Sequence, residues 1–194
     1  MMARTVDAAG WRTEAARCCD GAAVKYRLDV VASSPADVVC SAGGWLYDRA
    51  RAGWEVNVLL GRQCDIRPLQ ILGVRASDLE SQFAPASGGS AVRGLAVSAT
   101  VFASDARIRE RVLEALEGRM TEVTLWDEGW PLAIGHRTRC VQHVLSSAAR
   151  AFKRHALTAA GISAGNSSRV GAIETLRSDT KTCLPVDSEL IPVG

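Results

Sequence analysis

The sequence predicts a single α/β domain of three layers, with helices on both faces of a mostly parallel sheet of about five strands. Three observations lead there. Short β-branched runs alternate with segments of helical period, as in "KYRLDVVAS", then "PADVVCSAGGWLYDRARAG", then "WEVNVLL". Serine, proline and glycine punctuate the joints between them. With 194 residues, 47% apolar and 23% charged, the chain is long and apolar enough for one substantial core.

Residues 1–22 alternate small and charged types without a sustained period and are expected to form a mobile arm. The α/β domain is expected over residues 23–160, followed by an irregular tail over 161–194 with at most one short strand. The first strand is predicted from Tyr26 to Ala32. Ser34 can cap the following helix, Pro35 suits its first turn, and Asp37 three residues on completes an acidic capping box. Val38, Ala42, Leu46 and Ala50 then recur at helical spacing until Gly53 stops the helix, and "WEVNVLL" resumes as a strand.

"RPLQILGV", residues 67–74, predicts a further strand, and the turn-rich "SQFAPASGGSAVRG" an exposed loop. "LAVSATVF" predicts a strand, followed by a helix from Asp105 to Glu117 capped by Ser104 and a strand over "TEVTLW". The last predicted element is a helix from Thr138 to Leu157. This alternation is Rossmann-like, and in such sheets ligands sit beyond the carboxyl ends of the strands, where the strand order reverses. The residues predicted at that rim are Ser34, Asp37, Asp65, Ser104, Asp105 and Asp127, with Ser33 beside them.

The sequence carries no G-x-G-x-x-G, no G-x-x-x-x-G-K-S/T, no G-x-S-x-G and no H-E-x-x-H, so no cofactor, metal set or catalytic residue is assigned from such motifs. The six cysteines, Cys18, Cys19, Cys40, Cys64, Cys140 and Cys183, form no C-x-x-C and read as scattered thiols. Residues 1–23 lack an apolar signal-peptide core, so a cytoplasmic location is expected, and no apolar run reaches membrane-spanning length.

The segment from Ser34 to Leu60 resembles the opening motif of the PIG-L/LmbE family of zinc-dependent de-N-acetylases. There a strand ends in H-P-D-D-E, followed by an A-G-G helix and a G-x-x-V-x-V strand. Here Pro35 matches the proline, Asp37 the second aspartate, Ala42-Gly43-Gly44 the helix motif, and Gly53, Glu55 and Val56 the approach to the strand. The resemblance covers residues 28–60 and implies a Rossmann-like deacetylase fold with its site at the sheet rim. It also implies that the family's first zinc histidine is matched by Ser34 and its general-base aspartate by Ala36, leaving Asp37 alone of that motif's ligands. A catalytic zinc takes three protein ligands plus water, and neither serine nor alanine supplies what is replaced. A well-capped strand–helix joint or another kind of ligand loop accounts for the same residues.

From Gly129 to Ile173 there is no Asp or Glu, while Arg137, Arg139, Arg150, Lys153, Arg154 and Arg169 and all three histidines fall within the span. On the predicted helix, Arg139, His143, Arg150, Lys153 and Arg154 form a basic set. It suits a protein partner, self-association or, through phosphates, nucleic acid; a solvated helix face is the plain alternative. The net charge of +2 by itself calls for no polyanion. The sequence therefore points first to a non-enzymatic scaffold or regulatory domain that binds a macromolecule through this helix, with no membrane role. The alternative is a metal-dependent hydrolase-like module, a degenerate de-N-acetylase relative working at the rim.

Overall fold

The computed structural model describes residues 26–82, 92–118, 121–162, 170–179 and 190–193. The predicted N-terminal arm and most of the predicted loop after Gln82 lie outside these residues. In chain order the elements are β1 (Arg27–Ala32), α1 (Pro35–Arg51), β2 (Glu55–Leu60), α2 (Arg67–Ile71), β3 (Arg75–Asp78), α3 (Leu79–Gln82), β4 (Val92–Ser98), α4 (Ala99–Ser104), α5 (Ala106–Glu117), β5 (Glu122–Trp126), α6 (Leu132–Gly135), β6 (Thr138–Val144), α7 (Ser147–Ala159), β7 (Ile173–Asp179) and β8 (Leu190–Pro192).

One sheet of eight strands, rather than the five or so expected, has the order β3-β2-β1-β4-β5-β7-β6-β8, the additional strands being β3 and, on the other edge, antiparallel ones. The first five strands in that order are parallel, and β7, β6 and β8 continue it antiparallel. The order reverses between β1 and β4, which places the switch point of the sheet directly beyond Ala32.

Both faces are covered, as a parallel sheet requires. Leu28, Val30 and Ala32 of β1 and Val56, Val58 and Leu60 of β2 pack with α1, α2 and α7 in one core. Val31 and Leu59 point the other way, into a second core with Val101 and Phe102 of α4 and Ile108, Val112 and Leu116 of α5. The strict alternation follows from the two-residue side-chain period of a strand. Trp45 and Trp126 are both fully buried.

Helix α1 starts as expected: the Ser34 hydroxyl accepts from the Asp37 N–H at 3.2 Å, with Pro35 in the first turn. The carboxylate reaches back one residue further than in a capping box, accepting from the N–H of Ser33 rather than of Ser34. The helix ends at Ala52, and Gly53, with φ of +93°, turns the chain into β2.

In mid-helix, α1 takes in a buried ion pair. The Glu174 carboxylate accepts from the N–H groups of Gly44 and Trp45, both at 2.8 Å. Lys153 donates to the Cys40 carbonyl at 2.7 Å and to Glu174 at 2.5 Å. An uninterrupted helix would pair the Gly44 N–H with the Cys40 carbonyl. Here each also meets a member of the pair. Gly44 makes the approach possible: a Cβ there would lie 1.5 Å from Leu145 Cδ2 and 3.2 Å from Glu174 Oε1.

Four expectations are corrected. Residues 67–71 form a helix, not a strand, because Leu69 and Leu72 bury one helical face and Pro68 fits the first turn. The strand expected over 95–102 ends at Ser98, whose hydroxyl accepts from the Val101 N–H and starts α4. The long helix expected from Thr138 is a strand, β6, followed by the shorter helix α7. Residues 173–179, expected within an irregular tail, are a strand in the interior of the sheet between β5 and β6.

Candidate functional site at the sheet rim

Strand register sets the rim. Asp78, Leu60 and Ala32 lie side by side at the carboxyl ends of β3, β2 and β1. Ser98 and Trp126 lie side by side at the ends of β4 and β5. Asp37, in the first turn of α1, stands at the switch point between them. Its Oδ1 accepts from the Trp126 indole N–H at 2.9 Å, and its Oδ2 from the Ser33 hydroxyl at 2.9 Å and the Ser33 N–H at 3.2 Å.

Asp127 follows Trp126 with φ of +68°, a left-handed conformation uncommon outside glycine, asparagine and aspartate. Its carboxylate accepts from the Ser41 hydroxyl at 3.3 Å, one turn of α1 beyond Asp37. Partial burial, then the negative charge of Asp37, raise the Asp127 carboxyl above its ordinary range, while the Ser41 bond opposes this. Cys40 shares the edge. Shielding from solvent raises its thiol, Asp37 and Asp127 add to the shift, and the Lys153 charge opposes it. The thiol is therefore protonated at neutral pH, which is the wrong form for a nucleophile.

Beside this edge, at the carboxyl ends of β2 and β3, lies an open cavity of about 570 Å³, in the size range of small-molecule sites. Leu60, Ile66 and Ala76 give it apolar walls, and Arg62, Gln63, Ser77 and Asp78 line it with polar groups.

Of the predicted rim residues, the structure brings Asp37 and Asp127 close enough to interact and leaves Ser34 as the cap of α1. Asp65 is turned to its own loop, where Arg67 hydrogen bonds hold its carboxyl below the ordinary range. Ser104 bonds back to the Thr100 carbonyl. Asp105 caps α5 and is held low by Arg107, which also grips Glu80. These three serve local structure rather than a shared pocket. The side chains missed from sequence are the Trp126 indole and the Ser41 hydroxyl. Ser41 could have been found, since it lies four residues after Asp37 on one helix face.

The predicted basic set is divided. Arg139 and His143 lie on β6 and only Arg150, Lys153 and Arg154 on α7. His143 is 3% exposed, with Nε2 2.9 Å from Asp48 Oδ2. Asp48 also accepts from the Ser146 hydroxyl and N–H, so it ties α1 to the start of α7. Lys153 is 7% exposed and bound to Glu174, which removes it from any surface.

The zinc implied by the family resemblance does not fit these residues. Asp37 has both oxygens committed to N–H and O–H donors, Ser34 and Ala36 offer no imidazole or carboxylate, and His143 is held by Asp48. Among the described residues no group of three or more His, Cys, Asp or Glu could hold a metal ion. No helix among them is long and apolar enough to cross a membrane.

The fold defines a class: a single α/β domain with a mostly parallel sheet, similar in fold to solved deacetylases. No family model matches the chain, and no curated protein does. Among solved structures, the chain is similar to a deacetylase of teicoplanin biosynthesis in its complex with bog, at 15% identity and a TM-score of 0.50 over 82% of this chain and 100% of that one. It is similar to the zinc-inhibited form of the teicoplanin deacetylase Orf2, at 13% identity and 0.51, over 82% and 100%. The A40926 pseudoaglycone deacetylase Dbv21 matches at 14% identity and 0.51, over 84% and 100%. At these identities the likeness is one of fold.

Proposed function

We propose that this chain is a degenerate relative of the de-N-acetylases in which the rim binds a small polar ligand without hydrolysing it. One observation carries the reading: Asp37, the ligand position kept from the family motif, has its two carboxylate oxygens bonded to Trp126 and Ser33. Those bonds fix the carboxylate in the fold with no second metal ligand of the motif beside it, and the alanine at position 36 cannot abstract a proton from water. The ligand reading is supported by the neighbouring cavity, where Arg62 is exposed and has no carboxylate partner among the described residues. Apolar walls with a few polar groups suit an amphipathic ligand such as an N-acylated amino sugar.

The test is an assay of acetate release from N-acetylglucosamine with and without added Zn²⁺, paired with calorimetric titration of the same compound. The reading expects no release under either condition and binding that weakens at least tenfold in Arg62→Ala. Zinc-dependent acetate release abolished by Asp37→Ala would establish a working hydrolase instead.

A further inference from the structure

Helix α7 and the chain leading into β7 enclose a second cleft, of about 590 Å³, away from the sheet rim. Ser147, Arg150, Ala151 and Arg154 form its helical wall, and Val170, Gly171 and Ala172 the opposite one. The two arginines are four residues apart, so their side chains leave the helix on one face with Cβ atoms about 6 Å apart. Among the described residues neither has an acidic partner. Among the described residues the Arg150 guanidinium makes only a long contact, 3.4 Å from Nη2 to the Ser147 hydroxyl, and its buried Nε has no hydrogen-bond partner. A buried donor left unpaired is costly, so a native site that keeps one calls for an explanation.

The charges around the cleft do not cancel. On the buried side of α7, Lys153 and Glu174 neutralise each other. Asp48, the acid nearest the start of the helix, is held by His143 and Ser146. The six lining residues other than Arg150 include no acid and no aromatic ring. Two unpaired guanidiniums and a hydroxyl facing an open cavity make a receptor for a compact oxyanion of about two negative charges. A carboxylate supplies one charge, whereas a phosphate monoester supplies about −1.5 to −2 at neutral pH with three acceptor oxygens. A small rotation of Arg150 that presents Nε and Nη2 together would satisfy the orphaned donor with two of those oxygens. The cleft is larger than a bare phosphate needs, and its lining holds no aromatic ring on which a nucleobase would stack.

We propose that this cleft binds a small phosphate monoester of the sugar-phosphate type, with Arg150 and Arg154 holding the phosphoryl group and Ser147 donating a third hydrogen bond. Calorimetric titration of the full chain with glucose 6-phosphate, inorganic phosphate, glucose and acetate tests it, in low salt and in 0.3 M salt. The ester is expected to bind most tightly, phosphate several-fold more weakly, and glucose and acetate not at all. Salt should weaken the first two. Arg154→Ala, at an exposed position, should weaken the ester at least tenfold, while Arg139→Ala on β6 should leave it unchanged. Arg150→Lys, which keeps charge but loses the bidentate fork, should weaken it by a similar factor. Failure of glucose 6-phosphate to bind at millimolar concentration, or binding indifferent to Arg154→Ala, would overturn the assignment. So would tighter binding of duplex DNA than of the ester, which would make this face a nucleic-acid surface.

Discussion

The indole N–H of Trp126, at the end of β5, donates to Oδ1 of Asp37, in the first turn of α1, across 2.9 Å and 89 residues of sequence. The bond ties the end of β5 to the start of α1 at the sheet rim, and it engages one of the two oxygens of the Asp37 carboxylate. Trp126→Phe removes the donor while keeping most of the ring. Hydrogen bonds to charged groups contribute about 1.5–3 kcal/mol, so a loss of about 2 kcal/mol is expected in chemical denaturation. An unchanged midpoint would mean that the bond does not hold the rim.

The two adjacent glycines of α1 should respond in opposite directions. A Cβ at Gly43 would meet its nearest neighbour, Leu72 Cδ1, at 3.4 Å, whereas one at Gly44 would overlap Leu145. Gly43→Ala is expected to be neutral or to stabilise by up to about 1 kcal/mol through helix propensity. Gly44→Ala is expected to cost about 1–3 kcal/mol through overpacking, partly recovered when Leu145→Ala makes room. Equal effects at the two sites in thermal unfolding would contradict the packing described here.

Lys153 and Glu174 are both almost fully buried and depend on each other. Removing one member leaves a charge without its partner, at a cost of about 3–5 kcal/mol. Lys153→Met and Glu174→Gln should each destabilise on that scale, and the double variant should cost much less than their sum. Additive losses would mean that the two side chains do not form a coupled pair. Glu174→Gln should also increase hydrogen exchange at the amides of Gly44 and Trp45.

Asp127 gives the rim a pH dependence. Its carboxyl titrates above the ordinary range, so the folded chain holds the proton more tightly than the unfolded chain does. The contribution is stabilising below the unfolded pKa and is lost as the pH rises through the folded one. Asp127→Asn removes this titration and keeps a residue tolerant of positive φ. It should raise stability slightly at neutral pH, on the scale of about 0.5 kcal/mol seen for exposed positions, and lose that advantage at pH 3–4. A variant less stable than the parent at pH 7 would show that the Ser41 bond outweighs the repulsion from Asp37.

The sequence was most legible where local rules and burial agree. Ser34, Pro35 and Asp37 announce the start of α1, and β1 and β2 read as near-continuous apolar runs because both of their faces are covered. β6 and β7 were not legible for the opposite reason. Their buried positions carry His143, Glu174 and Asp179, whose burial is compensated by partners far away in sequence, and also Ser178, so the apolar alternation that marks a strand is broken. Val141 and Val144 of β6, with Leu145 just after it, also fit a helical period, and only pairing with β7 over seven register positions decides the matter. At the rim, residue types suggested a cluster of acids, but Asp65 and Asp105 are captured by arginines two residues on, a contact set by loop geometry rather than composition.

Whether Asp37 still ligates a metal is read most directly by equilibrium dialysis against micromolar Zn²⁺, comparing the parent chain with Asp37→Ala. The same small amount of bound zinc in both is the predicted result. One equivalent retained by the parent and lost in Asp37→Ala would contradict it.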